Sequence, residues 1–79
     1  MNTHQIVVEA IESQGIAPLS SITLEANLTK DLGYDSLDVV ELQMILEQKF
    51  NTIIPDTETH ILATVQDIIK YLTPQLTPA

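Results

Sequence analysis

The chain has 79 residues and no cysteine, so one small domain spanning residues 1–79 is expected, without disulfide bonds or thiolate metal sites. Eleven Asp and Glu residues against three Lys give a formal net charge of −8, which argues against nucleic-acid binding and favours basic protein partners. No apolar run approaches the ~20 residues of a membrane span, and no signal-peptide pattern is present, so a cytoplasmic monomer without membrane contact is expected.

The first predicted helix runs from Thr3 to Gln14. Its apolar residues recur at helical spacing along one face, and they are Ile6, Val7, Ala10 and Ile11. Asn2 or Thr3 is expected to cap its start, and Gly15 is expected to stop it because glycine adopts the left-handed conformation at helix ends.

Residues 16–35 show no sustained periodicity and are predicted to form a long loop. Apolar side chains at irregular intervals are expected to anchor this loop on the helices. These anchors are Ile16, Leu19, Ile22, Leu24, Leu28 and Leu32. A strand at 21–24 is not favoured, since the chain offers no partner strand.

The second predicted helix begins at Ser36, directly after an acidic cap, and runs to about Phe50. Asp35 is predicted to be the N-cap, with Asp38 three residues on as the acidic half of a capping-box-like pair. Ser36 is then the first helical residue. Its hydroxyl should point away from the helix, near the free backbone N–H groups of the first turn.

Apolar residues on this helix form two stripes. One stripe consists of Val39, Leu42, Leu46 and Phe50, and we predict that it faces the core. The other consists of Leu37, Val40 and Met44, and we predict that it stays partly exposed as a contact surface. The alternative is that both stripes are buried, since a helix in a small bundle can bury a wide arc.

Two further helices are predicted towards the end of the chain. Pro55 is well placed for the first turn of a short third helix ending about Ile61, but Thr57 and Thr59 are poor helix formers, so this helix is expected mainly because the segment resembles a helical segment of a known protein family. The last helix should start at a capping box between Thr64 and Asp67 and end at Pro74, with Val65, Ile68, Ile69 and Leu72 buried. The fold class is therefore all-α, a small four-helix bundle with three main helices, a short third helix and a long first loop.

A catalytic or metal-binding interpretation finds little support in the residues. The two histidines, His4 and His60, lie far from Ser36 in sequence, and no nucleophile-elbow motif surrounds that serine. An acidic run could in principle hold a hard cation, although such runs are more often a solvated helix face; its members are Asp31, Asp35, Asp38 and Glu41. We predict neither an enzyme nor a metal site.

The segment Asp35-Ser36-Leu37-Asp38, preceded by Asp31-Leu32-Gly33 and followed by Val39-Val40-Glu41-Leu42, resembles the attachment site of acyl carrier proteins. The similarity extends to Ile54-Pro55-Asp56 and to Thr64-Val65-Gln66-Asp67, and so to nearly the whole chain. It implies that Ser36 carries a 4′-phosphopantetheine arm taken from coenzyme A. The thiol of that arm would hold acyl groups as thioesters.

The resemblance also implies the partners. A magnesium-dependent phosphopantetheinyl transferase would load the arm, and acyl-processing enzymes with basic docking surfaces would use it. The expected partner surface comprises Asp35, Leu37, Asp38, Val40, Glu41, Met44 and Glu47. An acyl chain could fold back between the helices, with walls expected from Val39, Leu42, Leu46, Phe50, Ile54, Leu62 and Ala63.

Three positions depart from typical fatty-acid carriers, which are acidic where this chain has Lys30, Gln48 and Lys49. The departures leave open whether the pathway is fatty-acid biosynthesis or a specialised polyketide or lipid pathway. Two other classes also stay open. One is an aminoacyl or peptidyl carrier, although its usual Gly-Gly before the serine is missing, and the other is an unmodified helical interaction domain.

Overall fold

The computed structural model describes residues 2–55, 60 and 62–76 of the chain. This part contains three α-helices, α1 (Thr3–Ser13), α2 (Ser36–Phe50) and α3 (Val65–Leu76), and one short 3-10 turn, Leu19–Ser21. Since the described residues contain helices and no strand, the predicted all-α class is confirmed. The predicted third helix falls largely outside the described residues, so the arrangement of four helices stays a prediction.

α1 begins at a reciprocal cap. The Asn2 side chain accepts a hydrogen bond from the Gln5 backbone N–H at 2.9 Å, and the Gln5 side chain accepts one from the Asn2 N–H at 3.3 Å. The helix ends at Ser13, one residue before the predicted end, and Gly15 follows with a φ of +70°, as predicted for the stop. Its buried residues are Thr3, Val7, Ala10 and Ile11.

The long first loop is held against the start of α3 by backbone hydrogen bonds. The Leu28 N–H donates to the Ala63 carbonyl at 2.9 Å, and the Val65 N–H donates to the Ala26 carbonyl at 3.1 Å. Paired backbone groups of this kind let a loop lie on the core without leaving polar groups unsatisfied. The loop is therefore fixed by main-chain bonds as well as by its buried side chains.

Two of the predicted loop anchors are wrong. Ile22, Leu28 and Leu32 are buried, but Leu19 is 55% exposed and Leu24 is 39% exposed. Leu19 opens the short 3-10 turn, none of whose residues is buried, and Leu24 contributes its backbone carbonyl, which accepts from the Gln66 N–H at 3.0 Å. Both leucines thus belong to the loop surface and not to the core.

α2 has the predicted division into two stripes. Leu42 and Leu46 are fully buried and Phe50 is 7% exposed, whereas the other stripe is open to solvent, with Leu37 71%, Val40 50% and Met44 59% exposed. Val39, assigned to the buried stripe, is only half-buried. The helix ends at Phe50, and the C-cap residue Asn51 has a left-handed φ of 50°.

α3 starts at the predicted capping box. The Thr64 hydroxyl accepts from the Asp67 N–H at 3.1 Å, and the Asp67 carboxylate accepts from the Thr64 N–H at 3.3 Å. The predicted end at Pro74 is wrong, because the helix continues to Leu76. Val65, Ile68 and Leu72 of this helix are fully buried.

Tyr34 joins the loop to α1 and α2, which the sequence did not predict. Its side chain is only 4% exposed, and its hydroxyl donates a hydrogen bond to Gln14 Oε1. The Gln14 Nε2 group in turn donates to the Asp38 backbone carbonyl at 3.1 Å. Burial, with a smaller contribution from the negative charge of Asp38, raises the pKa of Tyr34 to about 12.

Truncating a side chain of the buried stripe of α2 should destabilise the domain more than truncating a side chain of the exposed stripe. Leu46→Ala removes fully buried apolar volume and should lower the free energy of unfolding by ~2–5 kcal/mol, enough to threaten so small a domain. Met44→Ala truncates an exposed side chain of similar size and should change stability by no more than about 0.5 kcal/mol. Thermal or urea unfolding of the two variants measures the difference, and equal losses would contradict the division.

The raised pKa of Tyr34 predicts a loss of stability at alkaline pH. The unfolded chain releases this proton near pH 10 and the folded chain near 12, so stability that is present below pH 10 falls between these values. The slope should be about 1.4 kcal/mol per pH unit. Urea unfolding from pH 8 to 12 should show a steeper decline for the parent than for Tyr34→Phe. Parallel curves for the two proteins would contradict the shift, since lysine titration is common to both.

Candidate functional site

Ser36 lies at the first position of α2, where the sequence predicted it, and its side chain is exposed. The Asp35 carboxylate accepts from the Asp38 N–H at 2.9 Å, and the Asp38 carboxylate accepts from the Asp35 N–H at 3.0 Å. Both capping predictions are therefore confirmed. Gly33 precedes the cap with a φ of +80°, a left-handed conformation in which a side chain would be strained.

An open pocket of about 580 Å³ lies beside Ser36. It is lined by Asn27, Leu28, Thr29, Ser36, Val39, Val40, Gln43, His60, Leu62 and Ala63. The first loop, the exposed side of α2 and the segment before α3 thus each supply part of the wall. A volume of this size is typical of small-molecule sites.

The predicted pocket walls are partly correct. Val39, Leu62 and Ala63 line the pocket, but the remaining four predicted wall residues do not, because they are packed in the hydrophobic core; these are Leu42, Leu46, Phe50 and Ile54. The sequence analysis missed Leu28 and Gln43, whose place in the wall depends on how the loop folds over α2. His60 reaches the same pocket as Ser36 although the two are distant in sequence.

The residues of the predicted partner surface differ in how exposed they are. Asp35, Leu37, Val40, Glu41 and Met44 are exposed on successive turns of α2, whereas Asp38 and Glu47 are half-buried. The Glu47 carboxylate accepts a hydrogen bond from the Ile54 N–H at 2.7 Å, so it holds the following segment against the helix. A second, shallow pocket of about 260 Å³ opens on this surface and is lined by Glu41, Met44, Ile45 and Gln48.

The chemistry available at Ser36 is that of an exposed hydroxyl on a capped helical turn. Among the described residues, no three His, Asp or Glu side chains come together in a way that could hold a metal ion. None of the helices in the described part of the chain is long and apolar enough to cross a membrane. The exposed hydroxyl and the adjoining apolar pocket fit the phosphopantetheine arm, which needs a point of attachment and room beside it.

Comparison with known proteins points to the same chemistry. Residues 5–72 match the family described as the phosphopantetheine attachment site. The acyl carrier protein of Campylobacter concisus (strain 13826) is 45% identical over 62 residues, which cover 78% of this chain and 79% of the relative.

Two further relatives agree. The acyl carrier protein of Helicobacter acinonychis (strain Sheeba) is 53% identical over 53 residues, covering 67% of this chain and 68% of the relative. That of Syntrophobacter fumaroxidans (strain DSM 10017 / MPOB) is 48% identical over 66 residues, covering 84% and 82%. The chain therefore belongs to the acyl carrier protein family and carries 4′-phosphopantetheine as a covalently attached group.

Proposed function

We propose that Ser36 is the attachment residue and that the protein delivers acyl groups, held as thioesters on its arm, to enzymes of fatty-acid or related biosynthesis. The observation that carries this proposal is the exposed serine at the capped start of α2, at the edge of an apolar pocket. When bound, the phosphopantetheine group supplies the thiol that this cysteine-free chain lacks.

The residues around Ser36 have separate tasks in this function. The Asp35 and Asp38 carboxylates hold the first turn of α2, and the positive end of the helix dipole favours a phosphate attached there. The apolar parts of Val39, Leu62 and Ala63 offer an acyl chain a place out of water. No catalytic group is required of the chain itself.

The exposed side of α2 is the proposed docking surface. It combines the acidic side chains Asp35 and Glu41 with the apolar side chains Leu37, Val40 and Met44. Charges of this kind steer basic partners such as the transferase, while a few apolar contacts in the centre supply affinity. Asp38 and Glu47 add charge to the same surface although their carboxylates also hold backbone N–H groups.

A specialised polyketide or lipid carrier is the second candidate. Exposed Gln48 and Lys49 at the end of α2, and exposed Lys30 in the loop, reduce the negative charge that a partner would meet there. The acyl groups carried by protein isolated from its native cell, identified by intact mass, distinguish this candidate from a fatty-acid carrier.

Ser36→Ala should abolish loading while leaving the fold intact, because alanine is well tolerated at the start of a helix and Asp35 still caps it. Intact mass after incubation with coenzyme A and a transferase measures the result. Ser21→Ala is the matched control, since Ser21 is also exposed, and should gain the mass of one arm as the parent does. Loading of Ser36→Ala, or loss of loading in Ser21→Ala, would show that the assignment is wrong.

Glu41→Lys should weaken docking more than Glu12→Lys on α1, although both residues are exposed and both changes alter the net charge equally. At low salt we expect the KM of the carrier in the loading reaction to rise about tenfold for Glu41→Lys and to change little for Glu12→Lys. The difference should shrink as salt is raised, because exposed charges are screened over ~8–10 Å. Equal effects would leave only nonspecific net charge as the cause.

A further inference from the structure

The start of α2 is weakly anchored by apolar contacts. From Ser36 to Glu41 every side chain is exposed except those of Asp38 and Val39, which are half-buried. The first fully buried side chain of the helix is Leu42. Within the first turn only the half-buried Val39 packs against the hydrophobic core, so the core holds the turn that presents Ser36 less firmly than the rest of α2.

The capping hydrogen bonds do not anchor this turn to the rest of the domain, because both of them lie within the turn. Asp35 and Asp38 bond to each other's backbone N–H groups, which stabilises the turn as helix but does not fix it relative to the rest of the domain. A separate connection is needed to set where the serine points.

The side-chain amide of Gln14 makes that connection. Its Oε1 accepts from the Tyr34 hydroxyl and its Nε2 donates to the Asp38 carbonyl at 3.1 Å. The two bonds use opposite ends of one planar amide, so they fix Tyr34 and Asp38, which lie on either side of Ser36, to the C-terminal end of α1. Tyr34 is itself held by its buried ring and by its N–H, which donates to the Leu28 carbonyl at 2.8 Å.

We propose that Tyr34 and Gln14 are positioning residues that hold the first turn of α2, and with it the Ser36 hydroxyl, in the orientation required for loading. This proposal rests on Ser36 being the attachment residue. In that reaction the Ser36 oxygen loses its proton to a base of the transferase and bonds to phosphorus, while the pyrophosphate bond of coenzyme A breaks and the nucleotide portion leaves. We call Tyr34 and Gln14 the clamp. It acts before bond formation, by aligning the Ser36 oxygen.

An orientational role predicts a specific kinetic pattern. The exposed docking residues beyond the first turn, such as Glu41 and Met44, stay in place when the clamp is removed, so binding of the transferase should be little changed. The chemical step should slow by about tenfold or more, since small displacements of a reacting atom are costly to rate.

Tyr34→Phe and Gln14→Ala each remove one member of the clamp. The first change keeps the buried ring and deletes only the hydroxyl, so it should preserve the fold. Tyr71→Phe is the matched control, because Tyr71 also packs partly against the core but lies on α3 and does not line the pocket beside Ser36. All variants are compared as apo carriers at a temperature at which circular dichroism shows each to be folded.

Loading is followed in single turnovers with the transferase in excess. For Tyr34→Phe and Gln14→Ala we expect a rate constant at saturation that is lower by about tenfold, with half-saturation unchanged within about twofold. Tyr71→Phe should match the parent. The double variant should be no slower than the slower single variant, because both changes disable the same clamp. Amide hydrogen exchange at Asp38, whose N–H is bonded to Asp35, should be faster in both clamp variants and unchanged in Tyr71→Phe.

The proposal is overturned if Tyr34→Phe loads at the parental rate, or if the variants raise the half-saturation concentration and leave the rate constant at saturation unchanged. It is also overturned if the double variant is slower by the product of the two single reductions in rate. The experiments distinguish an error in the assignment of Ser36 as attachment residue from an error in the proposed role of Tyr34 and Gln14. If Ser36 is not the attachment residue, Ser36→Ala still gains the arm, whereas if only the clamp is wrong, the parent and both clamp variants load at Ser36 equally fast.

Discussion

The exchange of hydrogen bonds between Asp35 and Asp38 is the interaction on which the rest of the site depends. A helix start leaves backbone N–H groups without partners inside the helix, and those groups must find partners in side chains or water. Because the two aspartates satisfy the N–H groups of residues 35 and 38 locally, α2 can begin in solvent, and Ser36 can be exposed while its backbone is helical. Their negative charges are also favourable at the positive end of the helix dipole.

One side of α2 packs in the hydrophobic core, and another side is exposed to solvent. Its buried stripe, Leu42, Leu46 and Phe50, joins the core, while Leu37, Val40 and Met44 contribute little to stability because they remain in water. The exposed side can therefore change with its partners at little cost to a domain whose total stability is small. A formal charge of −8 destabilises so compact a chain by self-repulsion, which makes the main-chain bonds between the first loop and α3 all the more necessary.

Features set by neighbours in sequence could be predicted, and those set by distant contacts could not. The caps at Asn2, Asp35 and Thr64 each use partners three residues away, so the helix starts followed from the sequence. The buried Tyr34 was missed because its partner, Gln14, lies 20 residues earlier, at the C-terminal end of α1. The exposed loop leucines and most of the pocket wall were mispredicted for the same reason: the path of the loop is decided by backbone bonds to residues at and just before the start of α3, which no local pattern reveals.

The acidic residues of α2 also cannot be treated as one class of docking charge. Glu47 accepts from the Ile54 N–H at 2.7 Å, and one turn earlier the Gln43 side chain donates to the Ile54 carbonyl at 2.9 Å. Two side chains of α2 thus hold both polar backbone groups of a residue whose own side chain is 2% exposed. Gln43 also lines the pocket, so the helix that carries the proposed attachment serine also fixes the backbone at Ile54. A change at Glu47 therefore alters the fold and the surface charge together, whereas a change at exposed Glu41 mainly alters the charge.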